Sequence, residues 1–336
     1  MKALVYEGAW QMPLRDVPMP EPDTAEVNVK VEMVGVCGSD VHGFKGTTGR
    51  RKPPIIMGHE FSGTIVSVGA EVKDYKVGDR VVAMPLLTCG DCDNCRAGFP
   101  NQCQNRSGLG MNLNGAYAEY IKVPPKMLFA LPAEMSWEQG ALVEPLAVGM
   151  HAINLMPLQL LDTVVILGAG TIGLATILAA RMKGAGKIIV TDLSEHRLEF
   201  ARKLGADSVI NPAKQDAVEA VKAQTNGKGA PAVIEAVGAA TTAKQSLLMT
   251  RNGGNVVWIG NSAPEVTIDM QQIVTRELTV RGAYGFNQEF VLSIEAIRRQ
   301  RVDPTALIEK RARLEEGTAI IDDLAKGKAD WIKVML

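Results

Sequence analysis

The stretch TVVILGAGTIGLATILAA, residues 163–180, runs for 18 positions without a charge. That length lies near the lower limit for a helix that spans a membrane. Its centre argues otherwise, because Gly168 and Gly170 stand two apart, and glycines that close mark a turn. The stretch therefore predicts a buried strand, TVVIL, turning into a buried helix. Strand–turn–helix is the setting in which G-x-G-x-x-G binds a dinucleotide. Gly168 permits the tight turn, Gly170 lets the backbone approach a pyrophosphate, and Gly173 allows close packing of helix on strand. Thr171 and Ile172 complete the candidate cradle. A second strand, KIIVT, ends at Asp192, 19 residues past Gly173. A carboxylate there can accept bonds from the ribose hydroxyls of NAD and repels a 2′-phosphate. Arg197, on the helix that follows, joins the cofactor-binding set. FAD is the rival ligand, but its site usually opens a chain and this one begins after 160 residues, so NAD is expected.

Outward from this motif the strand-like runs KIIVT, SVI, AVIEAVG, NVVWIG and LTVRGAY follow, with helical stretches between the earlier ones. That alternation predicts an α/β, doubly wound parallel sheet over residues 149–286. Upstream, AEVNVKVEMVGVCG, FSGTIVSVGAEV, VGDRVVAMP and AYAEYIKVP are short β-like runs split by Gly and Pro. They predict a compact all-β barrel or sandwich over residues 1–148. WEQGALVEPLAVGMHAINLM, from Trp137, has helical spacing. From about Phe286 there remain one helical stretch and a short mixed tail, too little for a domain. Residues 287–336 are therefore expected to complete the first domain. A chain of 336 residues, 46% apolar and 22% charged, suits two ordinary cores. The net charge of −1 gives no electrostatic case for nucleic acid or an anionic membrane as partner. The first ten residues, MKALVYEGAW, lack the apolar core of a signal peptide, which favours a cytoplasmic protein.

Four of the five cysteines fall in CGDCDNCRAGFPNQC, residues 89–103. Cys89, Cys92, Cys95 and Cys103 have the spacing C-x2-C-x2-C-x7-C, with which one knuckle of chain can wrap a tetrahedral ion. Four thiolates satisfy zinc fully and leave no place for substrate, so such a site is structural. A cytosolic setting disfavours disulfides, and an iron–sulfur cluster remains the alternative on spacing alone. The fifth, Cys37, lies in VGVCGSDVHGF, and His59 follows 22 residues later with Glu60 beside it. Thiolate, imidazole and carboxylate are the mixed set that leaves zinc an open position. Spacing by itself does not bring them together.

The chain resembles the zinc-containing medium-chain dehydrogenases, the alcohol dehydrogenase superfamily, over essentially its full length. GHEFSGTIVSVGA (58–70) matches the zinc signature with Gly58, His59, Glu60, Gly63 and Gly69 in place. VGDRV (77–81), the four-cysteine lobe, GAYAEY (115–120) and GAGTIG follow in family order. VEPLAVGMHA (143–152) is most similar to the polyol (sorbitol and galactitol) dehydrogenase branch, which has Glu-Pro where ethanol-type enzymes carry a third zinc-binding cysteine. The resemblance implies a GroES-like barrel plus a Rossmann domain. It implies a catalytic zinc on Cys37 and His59 with Glu60 and Glu144 as carboxylate partners, direct or through water, and a structural zinc on the four clustered cysteines. It further implies NAD-linked oxidation of a secondary alcohol, with Ser39 and His42 of CGSDVH relaying the proton, in a homodimer or homotetramer.

Two positions depart from the polyol branch. An arginine of the substrate cleft is replaced by Gly285 in RGAYGF, and a bulky aromatic after VH by Gly43, which together suggest a roomier site. Other sugar alcohols, sugar-alcohol phosphates, vicinal diols and threonine are the alternative substrates. Arg50, Arg51 and Lys52 either receive an anionic group or, as the blander reading has it, form a solvated loop. The reading outside enzymology is a nucleotide-binding protein that kept the fold and lost the chemistry. A missing metal ligand would favour it, and Cys37, His59, Glu60 and Glu144 are all present.

Overall fold

Thr163–Leu167 is a strand buried at four of its five positions, and it turns at Gly168 into helix Thr171–Lys183. The uncharged stretch is thus two core elements joined at its glycines. The structure, a computed structural model describing residues 1–47 and 49–336, falls into two compact units. One comprises Met1–Glu144 with Ile294–Leu336, the other Pro145–Ser293.

The second unit is built on a parallel sheet of six strands. Across it lie Ser208–Ile210, Lys187–Thr191, Thr163–Leu167, Ala230–Glu235, Thr250–Trp258 and Thr279–Gly282. This is the doubly wound order, in which the first strand sits centrally and the chain then reverses direction across the sheet. Val165, Leu167, Ile189, Val233 and Val256 are fully or almost fully buried in its core. Burying each such side chain is worth about 1.5–3 kcal/mol, so the central strands read as continuous apolar runs rather than alternating ones.

The first unit centres on Val27–Gly35, which pairs antiparallel with Glu60–Val68 on one side and with Tyr120–Val123. Arg80–Ala83 and Leu128–Ala130 extend that sheet. Lys333–Met335 joins it at the register Met335↔Gly35 and pairs in parallel with Ile308–Arg311. The tail carries a second helix, Gly317–Ala325, beyond the single helical stretch expected from sequence; it buries Ile320, Ile321 and Ala325 in the first unit's core. Nine residues are too few for a helical period to stand out. Among the described residues, no helix is long and apolar enough to cross a membrane.

Candidate active site

Register builds the site. Gly35 faces Glu60 across the Val27–Gly35/Glu60–Val68 pair, so the chain leaving the first strand meets the chain entering the second. Cys37 sits two residues past that point as the N-cap of helix Gly38–Phe44. The candidate ligand atoms of Cys37, His59 and Glu60 all lie within 4.8 Å of one another. Glu60 Oε2 accepts a 2.6 Å bond from Lys333 Nζ, whereas Oε1 is buried without a hydrogen-bond partner. His59 Nδ1 is likewise buried and faces Asp40 Oδ2 at 3.3 Å. A thiol, an imidazole and a carboxylate with an orphaned oxygen fit a divalent ion with soft and borderline ligands, zinc above all.

Asp40 is fully buried. It accepts bonds from Arg51 Nη2 at 2.6 Å and from the Tyr117 hydroxyl at 2.8 Å. Burial alone would raise its carboxyl, but His59, Arg51 and Tyr117 overcome this and hold it well below the usual range. Burial likewise works against protonated His59, and the charges of Asp40 and Cys37 outweigh it. Glu144 is not in the close set with Cys37, His59 and Glu60, yet it is 9% exposed and senses their charges. Burial, opposed by His59 and reinforced by Glu60, pushes its carboxyl up to about 7. Ser39 and His42 lie three apart on helix Gly38–Phe44, on neighbouring turns of one face. Ser39 Oγ accepts a 3.4 Å bond from Arg51 Nη2. Burial, then the charges of Lys45 and Arg51, lowers the His42 imidazole below its ordinary value.

The Arg50–Lys52 run is therefore not uniformly solvated. Arg50 and Lys52 are exposed, but Arg51 is buried, its Nη2 donating to one Asp40 oxygen and its Nε to the Gly110 carbonyl. Nor does Gly43 open space: a Cβ there would lie 2.6 Å from Arg51 Cδ and Nη1. Gly285 has φ +58, a backbone conformation that an arginine would adopt only with strain.

The four clustered cysteines also converge, their sulfurs all within 4.8 Å, and every cysteine in the chain is a free thiol. The backbone N–H groups of Cys95 and Cys89 lower Cys92, to about 7, and Cys103 respectively, because an amide donor stabilises a thiolate. Four convergent sulfurs with amide support fit a closed tetrathiolate zinc site.

In the second unit, a Cβ on Gly173 would collide with the Gly168 carbonyl, so the helix packs against its own strand only with glycine there. Asp192 Oδ2 accepts from Ala169 N at 2.7 Å and Oδ1 from Ser194 N at 2.9 Å. Its carboxylate thus sits directly on the glycine turn. The Arg197 guanidinium lies 3.8 Å from the position a Cβ would take on Gly170. Sequence reading missed Glu235, which is buried at the end of its strand and accepts from Val237 N, Gly238 N and Thr242 Oγ1 at 2.7–2.9 Å. It missed Asp40, Tyr117 and Lys333 as well. Asp40 stands in plain view inside CGSDVH, but nothing local to Tyr117 or Lys333 signals a role. His151 is buried with its Nδ1 3.1 Å from Glu289 Oε2.

Two family models match the chain. Residues 23–133 match the alcohol dehydrogenase GroES-like domain and residues 171–299 match the zinc-binding dehydrogenase model. A sorbitol dehydrogenase of Bacillus subtilis is 36% identical, covering 100% of this chain and 97% of its own. A D-arabitol-phosphate dehydrogenase of Enterococcus avium is also 36% identical, covering 98% and 94%. Among solved structures, a candidate zinc-binding dehydrogenase of Sinorhizobium meliloti, bound to NADP, is 34% identical with a TM-score of 0.93, covering 99% of this chain and 98% of its own.

Proposed function

We propose that this chain, which belongs to the zinc-binding alcohol dehydrogenase family, oxidises a secondary alcohol of a polyol or vicinal diol to the ketone, reversibly, with NAD+ as acceptor. The observation that carries the reading is the convergent Cys37–His59–Glu60 set, half-buried at Cys37 and His59, with its buried, orphaned Glu60 oxygen. Cys37 and His59 would hold a catalytic zinc with Glu60 and Glu144, and the four clustered cysteines a structural one. Bound there, zinc supplies a Lewis acid for the substrate hydroxyl and the dinucleotide supplies the hydride acceptor. Ser39 would take the hydroxyl proton and His42, held neutral by burial and the cations beside it, would pass it to solvent. Asp192 would accept bonds from the adenosine ribose and, with Arg197 and the turn Gly168–Gly173, hold the cofactor. NAD+ over NADP+ rests on that carboxylate, although one similar structure holds NADP.

A phosphorylated sugar alcohol is the second reading, favoured by the equal identity to the arabitol-phosphate enzyme. A cytoplasmic homodimer or homotetramer completes the proposal. The exposed Thr279–Gly282 strand at the edge of the parallel sheet, with Met270 and Val274 exposed before it, supports self-association. The test is NADH formation by zinc-loaded protein over hexitols, pentitols, hexitol phosphates, butanediol stereoisomers and threonine, with Cys37→Ser as control. An NAD+-linked rate that vanishes in the control supports the reading. Loss of no zinc in Cys37→Ser, or a rate unaffected by it, would sink it.

A further inference from the structure

Gly43 is a glycine inside helix Gly38–Phe44 whose φ is not positive, so the backbone does not require it. A glycine in a helix is less favourable than alanine, so its presence there calls for a reason. What occupies its place is Arg51. A Cβ at residue 43 would lie 2.6 Å from Arg51 Cδ and Nη1 and 2.8 Å from Cζ. The guanidinium thus fills the volume a side chain would take, with 3% of the Arg51 side chain exposed. From that seat it ties three segments together. Nε donates to the Gly110 carbonyl at 3.0 Å, and Nη2 reaches Asp40 Oδ1 at 2.6 Å and Ser39 Oγ at 3.4 Å. The other oxygen of Asp40 accepts from Tyr117 and faces His59 Nδ1 at 3.3 Å.

We propose that Arg51 is a positioning residue for the metal site: seated in the space left by Gly43, it fixes Asp40, and through Asp40 the His59 imidazole, while setting the Ser39 hydroxyl. The proposal rests on reading Cys37, His59 and Glu60 as the catalytic zinc ligands. A ligating imidazole is oriented by the group that its ring faces, and that group must itself be held. Arginine suits the task better than lysine, because its Nε and Nη2 donate in a fixed planar geometry to the Gly110 carbonyl and the Asp40 carboxylate, whereas an ammonium is a single flexible point charge. Residue 43 and residue 51 form a matched pair, and a side chain at 43 would evict the guanidinium.

The test measures zinc per chain after dialysis against a chelator, together with kcat and KM, in the full chain. Arg51→Ala is expected to lose one of its zincs more readily than the wild type while keeping the other, and to lower kcat about 10–100-fold, the usual cost of removing an outer-shell partner. KM for NAD+ should hold steady, and millimolar guanidinium should restore part of kcat, which it would not do for a general loss of folding. Gly43→Phe, with Arg51 intact, should show the same losses. The double variant should be no worse than either, since both remove one interaction. The proposal is overturned if Arg51→Ala keeps both zincs and wild-type kcat, or if the two losses multiply. Should Arg51→Ala lose both zincs and unfold, Gly43→Phe with full zinc retention and kcat would overturn it alone. A wild-type chain that binds only the structural zinc would instead refute the proposed function.

Discussion

Lys333 Nζ lies 2.6 Å from Glu60 Oε2 and 3.0 Å from the Val36 carbonyl, and the two side chains are 0% and 1% exposed. The last strand of the chain thus delivers a buried cation to the carboxylate beside His59. Burial works against the ammonium, and the charge of Glu60 more than compensates, so Lys333 stays protonated. Lys333→Met is expected to destabilise the first unit by about 3 kcal/mol, because it strands a buried charge. Adding Glu60→Gln should recover part of that loss. Chemical denaturation of the single and double variants decides; equal stability of Lys333→Met and wild type would show that the pair contributes nothing.

Asp192 holds the glycine turn by accepting from Ala169 N, and in the proposed function its negative charge would exclude a 2′-phosphate. Asp192→Asn keeps an acceptor for that N–H and removes the charge. The ratio of kcat/KM for NADP+ over NAD+ should rise about tenfold or more, the effect of roughly 1.4 kcal/mol of relieved repulsion. An unchanged ratio would take selectivity away from this carboxylate.

His42 has its imidazole lowered by burial and by Lys45 and Arg51, so at neutral pH it is unprotonated and able to accept. Alcohol oxidation should therefore persist as pH falls through the ordinary histidine range and decline only below it. In His42→Ala that acid limb should disappear from the kcat profile, with the plateau lowered about 10²-fold or more. A limb that survives in the variant belongs to another group.

Glu289 accepts from Asn154 Nδ2 and Asn287 N and faces His151. Burial opposes its ionisation, and these partners outweigh burial and hold its carboxyl at about 2, below the ordinary 4.5. The folded form therefore binds fewer protons than the unfolded chain between these values. The contribution is full above about pH 4.5 and is lost as pH falls toward about 2. Acid unfolding of Glu289→Gln, followed by circular dichroism, should be flatter with pH across that window; an identical slope would assign the acid sensitivity elsewhere.

The parallel sheet and its glycine turn were legible because their signals are local: apolar runs, Gly168 and Gly173, and a carboxylate at a strand end. The four cysteines were legible for the same reason, lying within fifteen residues. Helix Gly317–Ala325 was not, being too short to establish a period. Arg51 was misread because a charged residue in a polar loop looks solvated until its partner is known.

The sequence by itself determined the parallel sheet, where the dinucleotide turn lies, and the cluster of four cysteines, since each depends on neighbours a few residues away. Only the tertiary structure decided how those side chains are held. Arg51 reaches Asp40 from 11 residues away, Tyr117 from 77, and Lys333 reaches Glu60 from 273. Such pairings follow from strand register and from the need to satisfy buried charges. Neither leaves a mark at any one position, because burial is a property of the folded chain and not of the residue.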